Sequence, residues 1–383
     1  MQNVNDLINW MLREGRLLGD AVAITEAFGK KLLEAGIPLD RLRVPQRFAN
    51  PILMACGVIW TKDHTEFYTI PRTTMATSAW IGSPFQYVVE NNRPLRKPLN
   101  AQTAPEHSIY AELHEQGYTD FLAIPLPYGN GEVQSSSFVT RSPEGFSEEH
   151  VRFIEAAGPV LAAALEPIAM RLTTDSLLQT YLGHGPAEAV ANGTIQRGEH
   201  TEIDAVVLFS DLRGFTFKSA SWAEEDLLDA LDDYFELVVH AVQEEGGDVL
   251  KFMGDGILTI FPAGEQSYAC SAAVRSAHAI LRGLEEVNSK RLAAGREELA
   301  LGIGMNAGKV TFGNIGSPDR LDFTVIGPAV NLASRLQDLT KTIGKPVLAT
   351  LPIAQNNRES FESEGVQEVR GVVEPVEVFS LKC

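Results

Sequence analysis

In AVVLFSDLRGFT a run of apolar residues ends at Asp211. A carboxylate at the end of a buried strand stands where ligands of open sheets bind, although a turn or cap aspartate looks the same in sequence. A second carboxylate, Asp255, sits between Gly254 and Gly256 in GGDVLKFMGDGILTIF, where two β-rich runs flank a hairpin signal. Asp255 reads as a turn residue or, with Asp211, as half of a pair that holds one or two hard cations through oxygen, as phosphoryl chemistry requires. Lys251 lies within the apolar run before that turn, and an inward-facing lysine in a strand needs a partner or a ligand. In RLDFTVIGPAVNLASRLQ a strand meets a Gly-Pro break and then a helix, with Pro328 placed for its first turn. Asn331 and Arg335 are four apart and project from one helix face. A solvated polar face has that spacing too. An arginine beside a strand-end site is also the tool expected for stabilising charge on a transferring phosphoryl group.

Strands and helices in alternation are needed to hold these residues. After AVVLFS the pattern predicts a helix opened by Ser221, with Glu224 completing a capping box and Leu227, Leu228, Leu231, Phe235, Val238, Val239 and Val242 on its apolar face. Strands in VLKFM and GILTIF follow, then a helix over 267–288, strands in LGIGMNAGKV and DFTVIG, a helix over 328–342 and a β-rich end. The Gly-Asp turn implies an antiparallel hairpin, so the region reads as α+β. Ahead of it, residues 1–36 predict two helices, and strands are expected at 51–61, 66–71, 120–127 and 132–140, with helices at 79–91 and 107–117. A long helix begins at Ser147 and is expected to end near Leu172; the segment Thr173–Asp204 turns Gly-rich and polar, which places the domain boundary there.

The strand-Asp followed by GFT, the GG…K…GD hairpin and the TVIG…VN…A…RL block occur in the order and at the spacing of class III adenylate and guanylate cyclases, which this region resembles. The resemblance implies a ferredoxin-like βαββαβ catalytic domain over 204–383. It implies that Asp211 and Asp255 hold two divalent metal ions, Mg2+ or Mn2+, that Asn331 positions the ribose and that Arg335 stabilises the pentavalent α-phosphate. Lys251 and Thr324 would contact the base. Lysine donates and a threonine hydroxyl accepts, which suits N1 and N6 of adenine. The implied reaction is ATP to 3',5'-cyclic AMP and pyrophosphate; a guanylate or dual-specificity cyclase and a non-catalytic nucleotide-binding module are the alternatives. Many adenylate cyclases carry Asp where this chain has Thr324, which resembles the class IIIb subgroup, and often Asp where it has Pro328. Lys251 and Asp255 flank one hairpin yet are assigned to opposite ends of a nucleotide, and the family resolves this with a homodimer whose two active sites are shared between chains. Residues 1–170 resemble, more loosely, a GAF domain, through the hairpin at 120–140 and the ending PEGFSEEHVRFIEAAGPVLAAALE. This implies an α+β sensor with an unidentified small-molecule ligand, joined by a helical signalling linker over 171–203.

Composition agrees with these expectations. A net charge of -18 from 50 acidic and 32 basic side chains disfavours nucleic acid and anionic membrane as partners, and an acidic protein that uses ATP should recruit divalent cations. Cys56, Cys270 and Cys383 are too few and scattered for a disulfide framework, and His64, His107 and His114 lack metal-ligand spacing. Neither a signal peptide nor a membrane span is evident, so a cytoplasmic protein is expected. No P-loop occurs, and GIGMNAG at 302–308 lacks GxGxxG spacing.

Overall fold

The computed structural model describes residues 3–264 and 266–382; Cys383 and the outermost ends of the first and last expected domains lie outside the described residues. The chain divides into two compact units, Met1–Thr180 and Tyr181–Cys383.

The first unit contains α1 (Val4–Arg13), α2 (Ala21–Glu34), β1 (Arg41–Arg47), β2 (Leu53–Thr61), β3 (Thr65–Pro71), α3 (Pro84–Asn91), β4 (Leu95–Pro98), α4 (Ser108–Glu115), β5 (Asp120–Pro127), β6 (Val133–Thr140) and α5 (Glu148–Leu182). Its antiparallel sheet has the order β3-β2-β1-β6-β5-β4. Alternation along β5 serves both faces: Leu122 and Ile124 pack with Met11, Phe28 and Leu161, whereas Phe121 and Ala123 pack with Val88 and Tyr110. The central strand β1 and the short β4 are not among the expected strands, because RLRVPQR puts arginines and a proline where apolar residues would mark a strand. Cys56 is buried in β2, and burial pushes its thiol above the usual range, as a small core hydrophobe requires. His107 serves as the cap of α4, its Nδ1 accepting from the Ile109 N–H. The helix expected to stop near Leu172 continues to Leu182. By length and composition α5 could cross a membrane, but 61% of its apolar window is buried inside the fold, as in a core helix.

The second unit begins with the end of α5 and continues through α6 (His184–Ala191), β7 (His200–Leu212), α7 (Phe215–Ser221), α8 (Glu224–Glu244), β8 (Asp248–Met253), β9 (Gly256–Pro262), α9 (Gln266–Ala293) and β10 (Leu301–Ser317). It ends with β11 (Arg320–Ile326), α10 (Pro328–Ile343), β12 (Val347–Thr350), α11 (Leu351–Asn356), β13 (Phe361–Gln367) and β14 (Val376–Leu381). The sheet order is β13-β14-β12-β10-β7-β9-β8, with β11 hydrogen-bonded to β10. β7-α8-β8-β9-α9-β10 is therefore a βαββαβ unit whose four strands are mutually antiparallel neighbours.

Two local expectations need correction. Ser221 does not cap α8: it ends α7, where its Oγ donates to the Phe217 carbonyl, and α8 starts after Ala223 without a side-chain cap. On the expected face of α8, Val238 and Val242 are buried with Ala230, Tyr234 and Ala241, and Leu231 and Phe235 pack against the same core, but Leu228 is exposed.

Candidate active site

Asp211 is the penultimate residue of β7, and its cross-strand partners are Gly256 on β9 and Gly302 on β10. Cross-strand partners share a sheet face, so two glycines leave room beside this carboxylate, and on the Gly302 side the Thr340 and Gln337 side chains of α10 occupy it. Strand β7 is anchored one residue earlier, where the buried Tyr234 hydroxyl bonds Ser210 Oγ at 2.8 Å. The turn from β8 to β9 uses Gly254 at φ 67°, a left-handed conformation that favours glycine, and delivers Asp255 to the same strand end. There the two carboxyl groups come within hydrogen-bonding reach. Partial burial, a hydrogen bond and repulsion from Asp211 push the Asp255 carboxyl up to about 7.

Helix α10 supplies the positive counterweight. Lys341 Nζ and Gln337 Nε2 each lie 3.4 Å from Asp211 Oδ2. The helix is pinned at both ends: Asn306 Nδ2 donates to the Ala329 carbonyl at 3.1 Å, and Arg213 Nη2 donates to the carbonyls of Thr340 and Lys345 at 3.1 and 2.7 Å. Gly304 on β10 explains the close fit, because a Cβ there would collide with the Ala333 carbonyl. The glycines of GIGMNAG thus serve helix-on-sheet packing.

Asn331 and Arg335 occupy a different side of α10. Both are exposed, and Arg335, whose side chain is 45% exposed, pairs with Asp338 at 3.4 Å. Among the described residues no hydrogen bond or ion pair joins either of them to Asp211 or Asp255.

Lys251 does not face inward. Its side chain is 38% exposed, and the ladder between β8 and β9 shifts register between Val249 and Lys251, an irregularity that re-aims the side chain. It forms an ion pair with Asp322 of β11. Thr324 lies two residues along β11 from Asp322, on the same face of the strand, while Phe323 between them is buried on the other. Lys251 and Thr324 therefore belong to one side-chain neighbourhood. Asp322 is the member of that neighbourhood not singled out from sequence; its alternation with Thr324 in LDFT was the available signal.

The sequence profile of the adenylate and guanylate cyclase catalytic domain family matches residues 199–382. Residues 199–382 form a class III adenylate/guanylate cyclase catalytic domain. The chain is 33% identical over 182 residues to an adenylate cyclase of Anabaena cylindrica, covering 46% of this chain and 36% of that protein. It is 28% identical over 182 residues to adenylate cyclase 1 of Rhizobium meliloti, covering 46% and 27% respectively. Each match thus spans about a third or less of these relatives. Among solved structures, the adenylyl cyclase CyaB from P. aeruginosa is 28% identical, covering 48% of this chain and 96% of that one, with a TM-score of 0.45. The guanylyl cyclase Cya2 is 29% identical, covering 48% and 93%, with a TM-score of 0.42.

The cyclase domain's carboxylate pair has a donor set suited to divalent cations. Two hard oxygens meet at one strand end, and their mutual repulsion is relieved when a cation sits between them. Among the described residues no group of three or more His, Cys, Asp or Glu forms, so further ligands would come from substrate phosphates and water. The raised carboxyl has a stability consequence. A folded-state value of about 7 against an ordinary 3.8 gives a contribution fully present below about pH 3.8 and lost as pH rises through about 7. Asp255→Asn should therefore make the chelator-treated protein more stable than the parent at pH 8, with the difference shrinking towards pH 5. The full shift corresponds to about 4 kcal/mol, which solvent screening of a half-exposed carboxyl reduces to about 1 kcal/mol, or about 2–4 °C in Tm. Thermal melts in EDTA at both pH values check this; equal Tm values at pH 8 contradict it.

Proposed function

We propose that the protein is an adenylate cyclase that converts ATP to 3',5'-cyclic AMP and pyrophosphate in a homodimer with shared active sites. The observation that carries this reading is the meeting of Asp211 and Asp255 at one strand end of a cyclase domain. Asp211 and Asp255 would hold two divalent cations, Mg2+ or Mn2+, which when bound supply charge neutralisation for the phosphates and acidify the ribose 3'-hydroxyl. The 3'-oxygen attacks the α-phosphorus, the new O–P bond forms, and the bond to the β-phosphate oxygen breaks as pyrophosphate leaves with the electron pair. The hydroxyl proton passes to solvent. Arg335 stabilises charge on the α-phosphoryl oxygens in flight, and Asn331 holds the ribose so that the 3'-oxygen lies in line. Lys251 donates to adenine N1 and Thr324 accepts from the N6 amine.

A second chain is supported by the placement of Asn331 and Arg335 on a different side of α10 from Gln337 and Lys341, which meet Asp211, and by exposed apolar side chains on neighbouring elements. Phe217, Phe252, Met253 and Ile326 all stand exposed. Residues 1–170 act as a GAF-like sensor, with 171–203 as the signalling linker. Tyr181 at 80% exposure and the partly exposed Leu177 support packing of α5 against a partner helix.

The test is incubation of purified full chain with Mn2+ and either ATP or GTP, reading cyclic nucleotide and pyrophosphate. Cyclic AMP and pyrophosphate in equal amounts, in excess of cyclic GMP and abolished by EDTA, is the expected result. Cyclic GMP in excess would make it a guanylate cyclase, and no product from either nucleotide a non-catalytic binding module.

A further inference from the structure

The first unit contains a cavity of about 230 Å³ whose wall includes Arg43, Arg47, Trp80, Phe85, Gln134 and Ser135 and no carboxylate. In a chain with 50 acidic and 32 basic side chains, a cavity with two arginines and no acid is a selective environment. It adjoins a gap in the sheet. The β1–β6 ladder stops at Arg43 opposite Ser137, and side chains replace the next ladder bonds: Ser136 Oγ donates to the Arg43 carbonyl at 2.8 Å, and Gln134 Oε1 accepts from the Arg47 N–H at 3.1 Å.

That second bond fixes the Gln134 amide, leaving its Nε2 as a donor without an acceptor on a residue 1% exposed. Arg43 is equally incomplete. Its guanidinium stacks 4.3 Å from the Phe85 ring centroid and 5.0 Å from that of Tyr68, yet Nη1 is buried without an acceptor. Arg41, on the same strand face and 9% exposed, also has an unpaired Nη1, and burial with the nearby Arg43 charge pushes its guanidinium below the ordinary range. Neither Arg43 nor Arg47 has an ion pair among the described residues. Unanswered buried donors cost stability, and Arg43 and Gln134 both line this cavity, which makes it the place where a missing acceptor would be supplied.

We propose that this cavity binds a small organic carboxylate with a flat apolar body, the carboxylate meeting Arg43 and Gln134 and the body lying among Met54, Ile70, Trp80 and Val89. Apart from Arg47, Thr74 and Ser135 the remaining wall is apolar or aromatic, which sets the character of the body. The volume falls below the roughly 300–1,000 Å³ of cavities for drug-sized ligands, so the ligand is smaller than a nucleotide. The Arg43 Nη1 donor and the Gln134 Nε2 donor together match the two oxygens of a carboxylate.

Calorimetry on the full chain tests this with benzoate and cinnamate, against benzamide as a neutral isostere, acetate as an anion without the body, inorganic phosphate, and cyclic AMP. The expected result is saturable binding of an aromatic carboxylate, one per chain, at least tenfold tighter than benzamide, acetate, phosphate or cyclic AMP. Gln134→Glu keeps the acceptor for the Arg47 N–H but sets a negative charge against the ligand, and Arg43→Met removes the guanidinium; each should weaken binding at least tenfold. Circular dichroism and Tm confirm that the variants are folded, and Gln134→Glu remains decisive should Arg43→Met fail to fold. No saturable binding of either carboxylate overturns the proposal, as does equal or tighter binding of benzamide, acetate, phosphate or cyclic AMP, or undiminished binding by Gln134→Glu. Binding is read without turnover, so the result is independent of the cyclase reading.

Discussion

Co-expressed Asp211→Ala and Arg335→Ala chains are expected to regain cyclase activity that neither variant has alone. The physical reason lies in α10. Gln337 and Lys341 meet Asp211 of the same chain, while Asn331 and Arg335 leave the helix on an exposed side and have no bond to the carboxylate pair. In the proposed dimer Arg335, on a side of α10 that makes no bond to the carboxylates of its own chain, completes the site of a second chain. Asp211→Ala removes a cation ligand and Arg335→Ala removes charge stabilisation in the transition state, and each homodimer should lose activity by about 100-fold or more. In a heterodimer both lesions fall in one site and the other is intact. Random pairing makes about half of the dimers mixed, each with one working site of two, so about a quarter of parental activity should return. The assay uses ATP and Mn2+ at matched total chain, with heterodimers verified by two affinity tags. Activity no greater than the mean of the single variants would exclude sites built between chains.

The second large effect concerns the base. Lys251→Glu with Thr324→Cys reverses the donor and acceptor pattern offered to the purine, and kcat/KM for ATP should fall about 100-fold more than that for GTP. Asp322 modifies this expectation. It pairs with Lys251 in the parent, so the introduced carboxylate would face a like charge across β8 and β11. Adding Asp322→Asn to the double variant should therefore raise GTP use further while leaving ATP use low. Equal loss with both nucleotides in the double and triple variants would remove Lys251 and Thr324 from base reading.

The parts of the site that were legible in sequence are those where local chemistry and local geometry agree. Gly254-Asp255-Gly256 can hardly be anything but a tight turn, and an apolar strand ending at Asp211 needs only pairing with the strand after that turn to bring the carboxylates together. Gly327-Pro328 marks a helix start that α10 adopts. What was missed depends on tertiary partners. Lys251 reads as inward because its neighbours are apolar, but a register shift in β8 turns it towards Asp322, and no single-strand pattern encodes that shift. Strand β1 was hidden because its alternate positions hold Arg41, Arg43 and Arg47 instead of the apolar residues that advertise a strand. Ser221 and Glu224 have capping spacing, but the chain spends Ser221 on ending α7. The continuation of α5 past Leu172 was obscured by Thr173, Thr174 and Asp175: Thr174 and Asp175 are exposed, and Thr173 Oγ1 accepts from the Ala49 N–H, a tertiary bond that local pattern does not show.

The close seating of α10 on Gly304 also bears on how such a domain changes over generations. A helix resting on bare backbone and tied at both ends has no slack, so a larger residue in that seam would displace Asn331, Arg335, Gln337 and Lys341 as one body. The residues assigned to the purine have a looser mounting: β8 is the last strand of its sheet, and β11 lies off the main path. Substitutions among exposed side chains there should typically shift stability by less than about 0.5 kcal/mol. Substrate preference is therefore the inexpensive trait to alter in this molecule and reaction geometry the costly one, and natural drift or laboratory selection should reach a new nucleotide long before a new chemistry.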